Sequence, residues 1–279
     1  MKQLPGDVHT HIWLPEHLSD EFHHDLAAIW PEVTKLDASP EAHLEHVAAA
    51  VGRSVVLAFD AEHAGIVVPD EFVADYVARD PARLIGFCSV EPRRPDALDR
   101  LTRAVEELGL RGVKLAPTYQ GFDPLGPEAF RLYERIAEYR LPTLWHQGTT
   151  FVRTSILKYA FPHQLDDVAR AFPELRIVIA HLGHPWIGEC IAVVRKHPYV
   201  FADISGLAGR PIQFREALTL AGEYRIAGKL LFGTDYPFAV AADVQSALRE
   251  IEADVAAPTV LRQTAATILA TDPLAAIGL

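Results

Sequence analysis

Residues 176–184 read RIVIAHLGH, and the fold follows from how this stretch is built. Ile177 to Ala180 form an unbroken apolar run rich in β-branched side chains. Such a run suits a strand covered on both faces, as a parallel sheet requires, and not the alternating pattern of a half-exposed strand. It ends abruptly on His181, and a second histidine, His184, follows in a loop. The same plan recurs along the chain. Short β-branched or aromatic runs fall at about 5–11, 54–59, 84–90, 111–115, 142–147, 176–181, 199–204 and 229–235. Between them lie segments with apolar residues at three- and four-residue spacing, such as 95–110 and 129–140, which predict helices. Ser39-Pro40 and Pro69-Asp70 mark helix starts before 41–51 and 71–79, and Gly52 and Gly109 sit where helices should stop.

Eight strands alternating with helices predict an α/β fold, a closed (β/α)8 TIM barrel formed as a single domain over residues 1–279. A doubly wound open sheet is the main alternative, but no G-x-G-x-x-G follows the first strand.

Composition narrows the function classes. The 279 residues carry 26 Lys+Arg against 37 Asp+Glu, a formal charge of −11, so a nucleic-acid or anionic-membrane footprint is not expected. No apolar stretch approaches a membrane span, and the N-terminal MKQLPGDVHTHIW lacks the pattern of a secretory signal. Cys88 and Cys190 read as reduced core thiols. These features predict a cytoplasmic protein whose partner is a small molecule.

In such barrels the chemistry stands at the C-terminal ends of the strands. There the sequence places its unusual polar residues: His9 and His11 on strand one, Lys114 on strand four, His146 on five, His181 on six, Asp203 on seven and Asp235 on eight. Strand side chains alternate, so His9 and His11 share a face. A lone buried histidine is more often a hydrogen-bonded core residue than a ligand. Two imidazoles on one face, a third and fourth on neighbouring strands and a buried carboxylate together fit a metal centre far better than any member does alone. His23, His24, His43, His46, His63, His163 and His197 have charged neighbours and are expected at the surface. Asp7 is either a turn residue or an acceptor for a ligand histidine's second nitrogen.

The stretches DVHTHIW, RGVKLAP, LWHQGTTF, IVIAHLGHPW, ADISG and LLFGTDYPF, in that order, resemble the amidohydrolase superfamily. The similarity is to the branch containing aminocarboxymuconate-semialdehyde decarboxylase and covers essentially the whole chain. It implies that His9, His11, His146 and Asp235 hold one divalent ion, zinc in the usual case, with His181 beside it as acid/base or polarising group. Asp235 and His181 are then the catalytic pair. Lys114 stands where binuclear members carry a carboxylated lysine; in this branch it is expected to meet a substrate carboxylate or an acid. Many relatives carry His after the strand-four GVKL, where this chain has Ala116. Lys114, Arg153, His184, Trp13 and Tyr236 are the expected substrate-binding residues, with Arg153 offering a bidentate fork to a carboxylate. A homodimer is expected by analogy.

The expected activity is hydrolysis of a small amide, ester or lactone through a metal-activated water. The alternative is non-oxidative decarboxylation of a small unsaturated or aromatic acid, which needs the same centre. A catalytically silent barrel predicts an eroded ligand set, and here the set is intact.

Overall fold

A computed structural model of the chain describes residues 4–31 and 37–279. Eight strands lie in one sheet in chain order: β1 (Leu4–His11), β2 (Val51–Leu57), β3 (Leu84–Ser89), β4 (Val113–Leu115), β5 (Thr143–Trp145), β6 (Ile177–Ile179), β7 (Val200–Asp203) and β8 (Leu230–Leu231). Every neighbouring pair is parallel. The ring closes between β1 and the segment after β8: Val8 N donates to Phe232 O at 3.1 Å and His11 N to Tyr236 O at 2.8 Å. Asp235 N reaches back to His9 O at 2.8 Å, and Thr10 and Tyr236 form a parallel bridge. The expected barrel is therefore present.

Helices return the chain outside the ring between strands. In Ala97–Glu106, Ala97, Leu101 and Ala104 are buried against the sheet, while Asp99 and Arg103 mark the opposite face. Ser39 caps the helix Pro40–Ala50 by accepting from Ala42 N, as its sequence position indicates. Gly109 follows Ala97–Glu106 with φ +68, a left-handed turn suited to glycine. Gly52 is a correction. Strand β2 begins at Val51, which pairs with Leu4, so Gly52 lies inside the strand and does not end a helix.

One element is absent from the sequence reading. The run at 54–59 does not stop at its strand but continues into a small antiparallel hairpin, Phe59–Ala61 with Ile66–Val68, turned by Gly65 at φ +74. The hairpin stands over the C-terminal mouth of the barrel, where Phe59 and Ile66 become cavity walls.

The barrel interior is filled by Val8, Val55, Leu57, Ile85, Phe87, Leu144, Val178, Phe201 and Leu231. Leu274 and Ile277, from the last turns of the chain, join this cluster and seal the N-terminal end. Gly6 makes room for that plug, since a Cβ there would stand 2.8 Å from Leu274 Cδ1. Burying a leucine in this way stabilises by about 1.5–3 kcal/mol. Both cysteines are buried and unbridged. Among the described residues no helix is long and apolar enough to cross a membrane.

Candidate metal centre

Strand β1 brings His9 and His11 to the same side of the barrel mouth, both buried. Their Nε2 atoms are 3.2 Å apart. Asp235, in the loop after β8, places Oδ1 3.2 Å from His9 Nε2 and 3.3 Å from His11 Nε2. Its backbone is left-handed, at φ +61, a conformation non-glycine residues adopt only where the surroundings impose it. The bond from Asp235 N to His9 O fixes that turn directly beside the imidazole it serves.

The outer side of His9 is held by Asp203 at the end of β7. His9 Nδ1–H donates to Asp203 Oδ2 at 2.9 Å, so the lone pair lies on Nε2, facing His11 and Asp235. Asp203 Oδ1 accepts from His181 N at 2.9 Å, from Ser205 N at 3.0 Å and from the Ser205 hydroxyl. His181 follows β6 in a left-handed turn, φ +56. Its Nδ1–H points at Ser205 Oγ, 2.8 Å, and Ser205 O, 3.2 Å, which leaves Nε2 facing Asp235 Oδ2, 3.9 Å away.

Burial sets the charges. It pulls His9 down to about 4, helped by the Lys114 cation and opposed by Asp203 and Asp235. Burial likewise lowers His11 and, well below its usual range, His146. Lys114, 1 % exposed, is pulled by burial down to about 8 against the attraction of Asp235 and Asp203; its Nζ stands 3.3 Å from His9 Nε2. Burial pushes Asp235 and Asp203 upward, but the surrounding imidazoles outweigh it and hold both carboxylates below their ordinary value.

The donor chemistry fits a divalent ion. Two buried imidazole nitrogens and an ionised carboxylate converge on one point, a donor set that suits a divalent ion. Donors about 2.1 Å from a tetrahedral ion lie about 3.4 Å from one another, close to the 3.2–3.3 Å spacing of this triad. Two groups converge in this manner among the described residues, His9–His11–Asp235 and His9–His181–Asp203. His146 belongs to neither. It is buried on the same cavity, its ring centroid 5.2 Å from that of His181, but its Nε2–H donates to Thr149 O at 3.0 Å.

These groups form the floor of a cavity of about 710 Å³. Of the residues expected to bind substrate, Lys114, Trp13 and His184 line it. Tyr236 and Arg153 are not among its walls. Tyr236 is pulled outward, its OH donating to Asp37 O at 2.9 Å and its ring lying 5.2 Å from that of His43. Arg153 is 67 % exposed and spends its guanidinium on Asp25, 2.6 Å from Nε to Oδ1. Asp7 touches no histidine ring. It accepts from His9 N, Thr234 N and Thr234 Oγ1, tying β1 to the end of the barrel, and Asp203 has the orienting place expected of it.

His43 departs most from expectation. It is 0 % exposed, behind β1, with Nδ1 accepting from Tyr76 OH and Nε2–H donating to Thr10 Oγ1, both at 2.8 Å. Charged neighbours in sequence did not reveal this, because its own face of the helix packs inward. Other walls were missed: Phe22, Trp30, Tyr119, Phe151, Leu207 and Arg210 come from loops and helices that no strand pattern places, whereas Phe238, close after Asp235 in sequence, lines the cavity as well.

The model of the amidohydrolase family matches residues 7–269. The chain belongs to the amidohydrolase family. Solved structures share the fold of this amidohydrolase at low identity. An uncharacterised TIM-barrel protein from Bordetella bronchiseptica aligns with a TM-score of 0.76 and 19% identity, over 98% of this chain and 100% of its own. A 2,6-dihydroxybenzoate decarboxylase, solved with 2,6-dihydroxybenzoate, aligns at 0.71 and 16%, over 99% and 98%. A 5-carboxyvanillate decarboxylase from Novosphingobium aromaticivorans, complexed with manganese and a nitrobenzoic acid, aligns at 0.68 and 14%, over 100% and 97%. In this amidohydrolase, as in the family at large, a divalent ion is the expected partner of the histidine–aspartate floor.

Proposed function

We propose that this amidohydrolase is a metal-dependent, non-oxidative decarboxylase of a small aromatic or unsaturated carboxylic acid. The observation that carries the reading is the His9–His11–Asp235 triad at the floor of a cavity walled by Trp13, Phe59, Tyr119 and Phe238. Hydrolysis, the sequence's first reading, uses the same floor. Decarboxylation has the better support, because it loses CO₂ without a water and the walls are aromatic. The decarboxylases of the same fold accept ring acids.

In this proposal His9, His11, Asp235 and, as a fourth donor, His146 hold one ion, either zinc or manganese; imidazole and carboxylate donors suit both. Bound there, the ion supplies positive charge to substrate oxygens and to the charge that develops as the carboxyl group leaves. The Lys114 ammonium draws the acid to the floor. The aromatic walls hold the ring and exclude water, so a carbanion-like centre is not quenched from solvent. As the carbon–carbon bond breaks, CO₂ departs and the electron pair remains on the ring carbon. Asp235 or His181, having first taken up a proton from the incoming acid, passes it to that carbon. His181 is suited to the role because Ser205 holds its Nδ1–H and leaves Nε2 facing the cavity.

The test is a panel of hydroxybenzoates and unsaturated acids, with esters and lactones beside them, offered to zinc- and manganese-loaded protein. Release of CO₂ with formation of the decarboxylated ring supports the reading; ester or lactone opening without CO₂ replaces it with hydrolysis. A cytoplasmic homodimer belongs to the same proposal, and sedimentation of the purified protein checks the assembly.

A further inference from the structure

Strand β1 does not pair with β2 in a single register. Leu4, Gly6 and Asp7 stand opposite Val51, Arg53 and Ser54, whereas Thr10 and His11 stand opposite Val56 and Leu57. Three steps from Asp7 to Thr10 on β1 match two steps from Ser54 to Val56 on β2, so one extra residue bulges out between them. The backbone of His9 takes its partners away from β2. His9 N donates to Asp7 Oδ1 at 3.0 Å, and His9 O accepts from Asp235 N at 2.8 Å. The bulge also reverses the inside–outside alternation of the strand. Val8 packs in the barrel interior, yet Thr10, two residues on, turns its hydroxyl outward to the helices. In an unbroken strand, residues two apart share a face. With Val8 inside, an unbroken β1 would carry Thr10 inside as well and turn His9 and His11 out toward the helices. The bulge is what delivers both imidazoles to the cavity.

On its outer side the bulge is gripped by a polar chain buried between β1 and two helices. The Thr10 hydroxyl donates to Val55 O on β2. That spends its single proton, so Thr10 Oγ1 accepts from His43 Nε2–H at 2.8 Å and from Ser54 Oγ at 3.1 Å. His43, on the helix Pro40–Ala50, in turn accepts at Nδ1 from Tyr76 OH at 2.8 Å, on the helix Asp70–Val77. Each hydrogen bond in the chain therefore runs one way, and the last ends on a backbone carbonyl. Thr10, Ser54 and His43 are all buried, and the rings of Tyr76 and Tyr236 meet the His43 ring edge-on, 5.5 and 5.2 Å between centres. Thr10 is the residue between the two histidines of the floor. Whatever holds its side chain holds the peptide units on which both imidazoles are mounted.

We propose that His43 is a positioning residue for the metal centre: through Thr10 it pins the bulge that sets the spacing of His9 Nε2 and His11 Nε2, 3.2 Å apart at the floor. Among the described residues it does not line the cavity, and it reaches the two donors through the backbone of β1. The role rests on the floor's being a metal site, but it is read from the geometry of that site and not from turnover.

The test is cobalt(II) substitution, read by affinity and by the visible absorption bands, which report the number and arrangement of donors around the ion. Thr10→Val keeps the shape of the side chain and removes its hydroxyl; His43→Leu removes the imidazole and leaves β1 unchanged. Each is expected to bind cobalt about tenfold or more weakly than wild type and to shift its visible bands, as happens when a group that orients ligands from outside the shell is lost. Thr10→Ser and His43→Gln keep the chain of hydrogen bonds and are expected to recover affinity and spectrum toward wild type. Urea denaturation of each variant separates this effect from a loss of stability. If Thr10→Val and His43→Leu are less stable but bind cobalt with wild-type affinity and bands, the chain is core packing and His43 positions nothing. Should Thr10→Val not fold, His43→Leu decides in the same way. A wild type that takes up no cobalt, zinc or manganese removes the metal reading, and the positioning role goes with it.

Discussion

Asp203 Oδ2 lies 2.9 Å from His9 Nδ1, and through that bond β7 decides which nitrogen β1, two places further round the ring, presents to the site. The carboxylate accepts, so the proton is fixed on Nδ1 and the lone pair on Nε2. The same carboxylate also holds the backbone of His181 and the hydroxyl of Ser205. Replacing it therefore disturbs a ligand and the proposed acid/base together.

Asp203→Asn is expected to weaken metal binding by about 10- to 100-fold while the barrel stays folded, because the amide keeps an acceptor oxygen but loses the charge that pins the tautomer. Metal titration with a competing chelator reads the affinity, and circular dichroism checks the fold. Unchanged affinity would separate Asp203 from the ligand shell.

Asp235→Asn is expected to lower kcat by about 10²–10⁴ with little loss of stability. Asparagine tolerates the left-handed backbone at φ +61, whereas alanine there adds strain, so Asp235→Ala is expected to be the less stable of the two. Turnover and chemical denaturation of both variants check this. Near wild-type activity in Asp235→Asn would remove Asp235 from the chemistry.

Elemental analysis is expected to find about one divalent ion per chain, lost when both His9→Ala and His11→Ala are introduced. Two ions would bring Lys114 into the ligand shell. His146→Ala is the companion measurement. A fall in affinity would make His146 the fourth donor, and retention would leave it with Thr149 O, where its Nε2–H now points.

His43 gives the pH dependence. Burial lowers it to about 3, from an ordinary value of 6.5, so the folded protein holds it neutral where the unfolded chain takes up a proton. For a base lowered in this way, stability is complete above about 6.5 and is lost as pH falls from there toward 3. His43→Gln keeps a donor for Thr10 and an acceptor for Tyr76 but does not titrate. Between pH 6.5 and 5 the wild type is expected to lose roughly 2 kcal/mol more than His43→Gln, read by urea denaturation at each pH. Equal losses would mean that His43 is not held neutral.

The sequence was informative wherever backbone period and residue type coincide. Continuous apolar runs such as Ile177–Ile179 can lie only in a covered sheet, and the alternation that puts His9 and His11 on one face needs no tertiary information. What it could not show depends on contacts made across the fold. Arg153 reads as a free fork until Asp25, 128 positions away, takes it. His43 reads as surface until Tyr76 and Thr10 close over it. Tyr236 follows the ligand Asp235 directly, yet its side chain faces the helices and not the cavity. Arg210, a cavity wall, stands seven residues past its strand, beyond the reach of any strand-end argument.

The ring is sewn shut by Asp235 N to His9 O and His11 N to Tyr236 O, so the stitches alternate along the backbone with the three residues that converge on the site. Ligand and seam are thus one object. Whatever the triad grips also clasps the first strand to the last, and a barrel that breathes open along this edge has no centre at all. Amide protons of His11 and Asp235 should accordingly exchange with solvent more slowly once the triad is engaged, making the hem of the barrel a gauge of its occupancy.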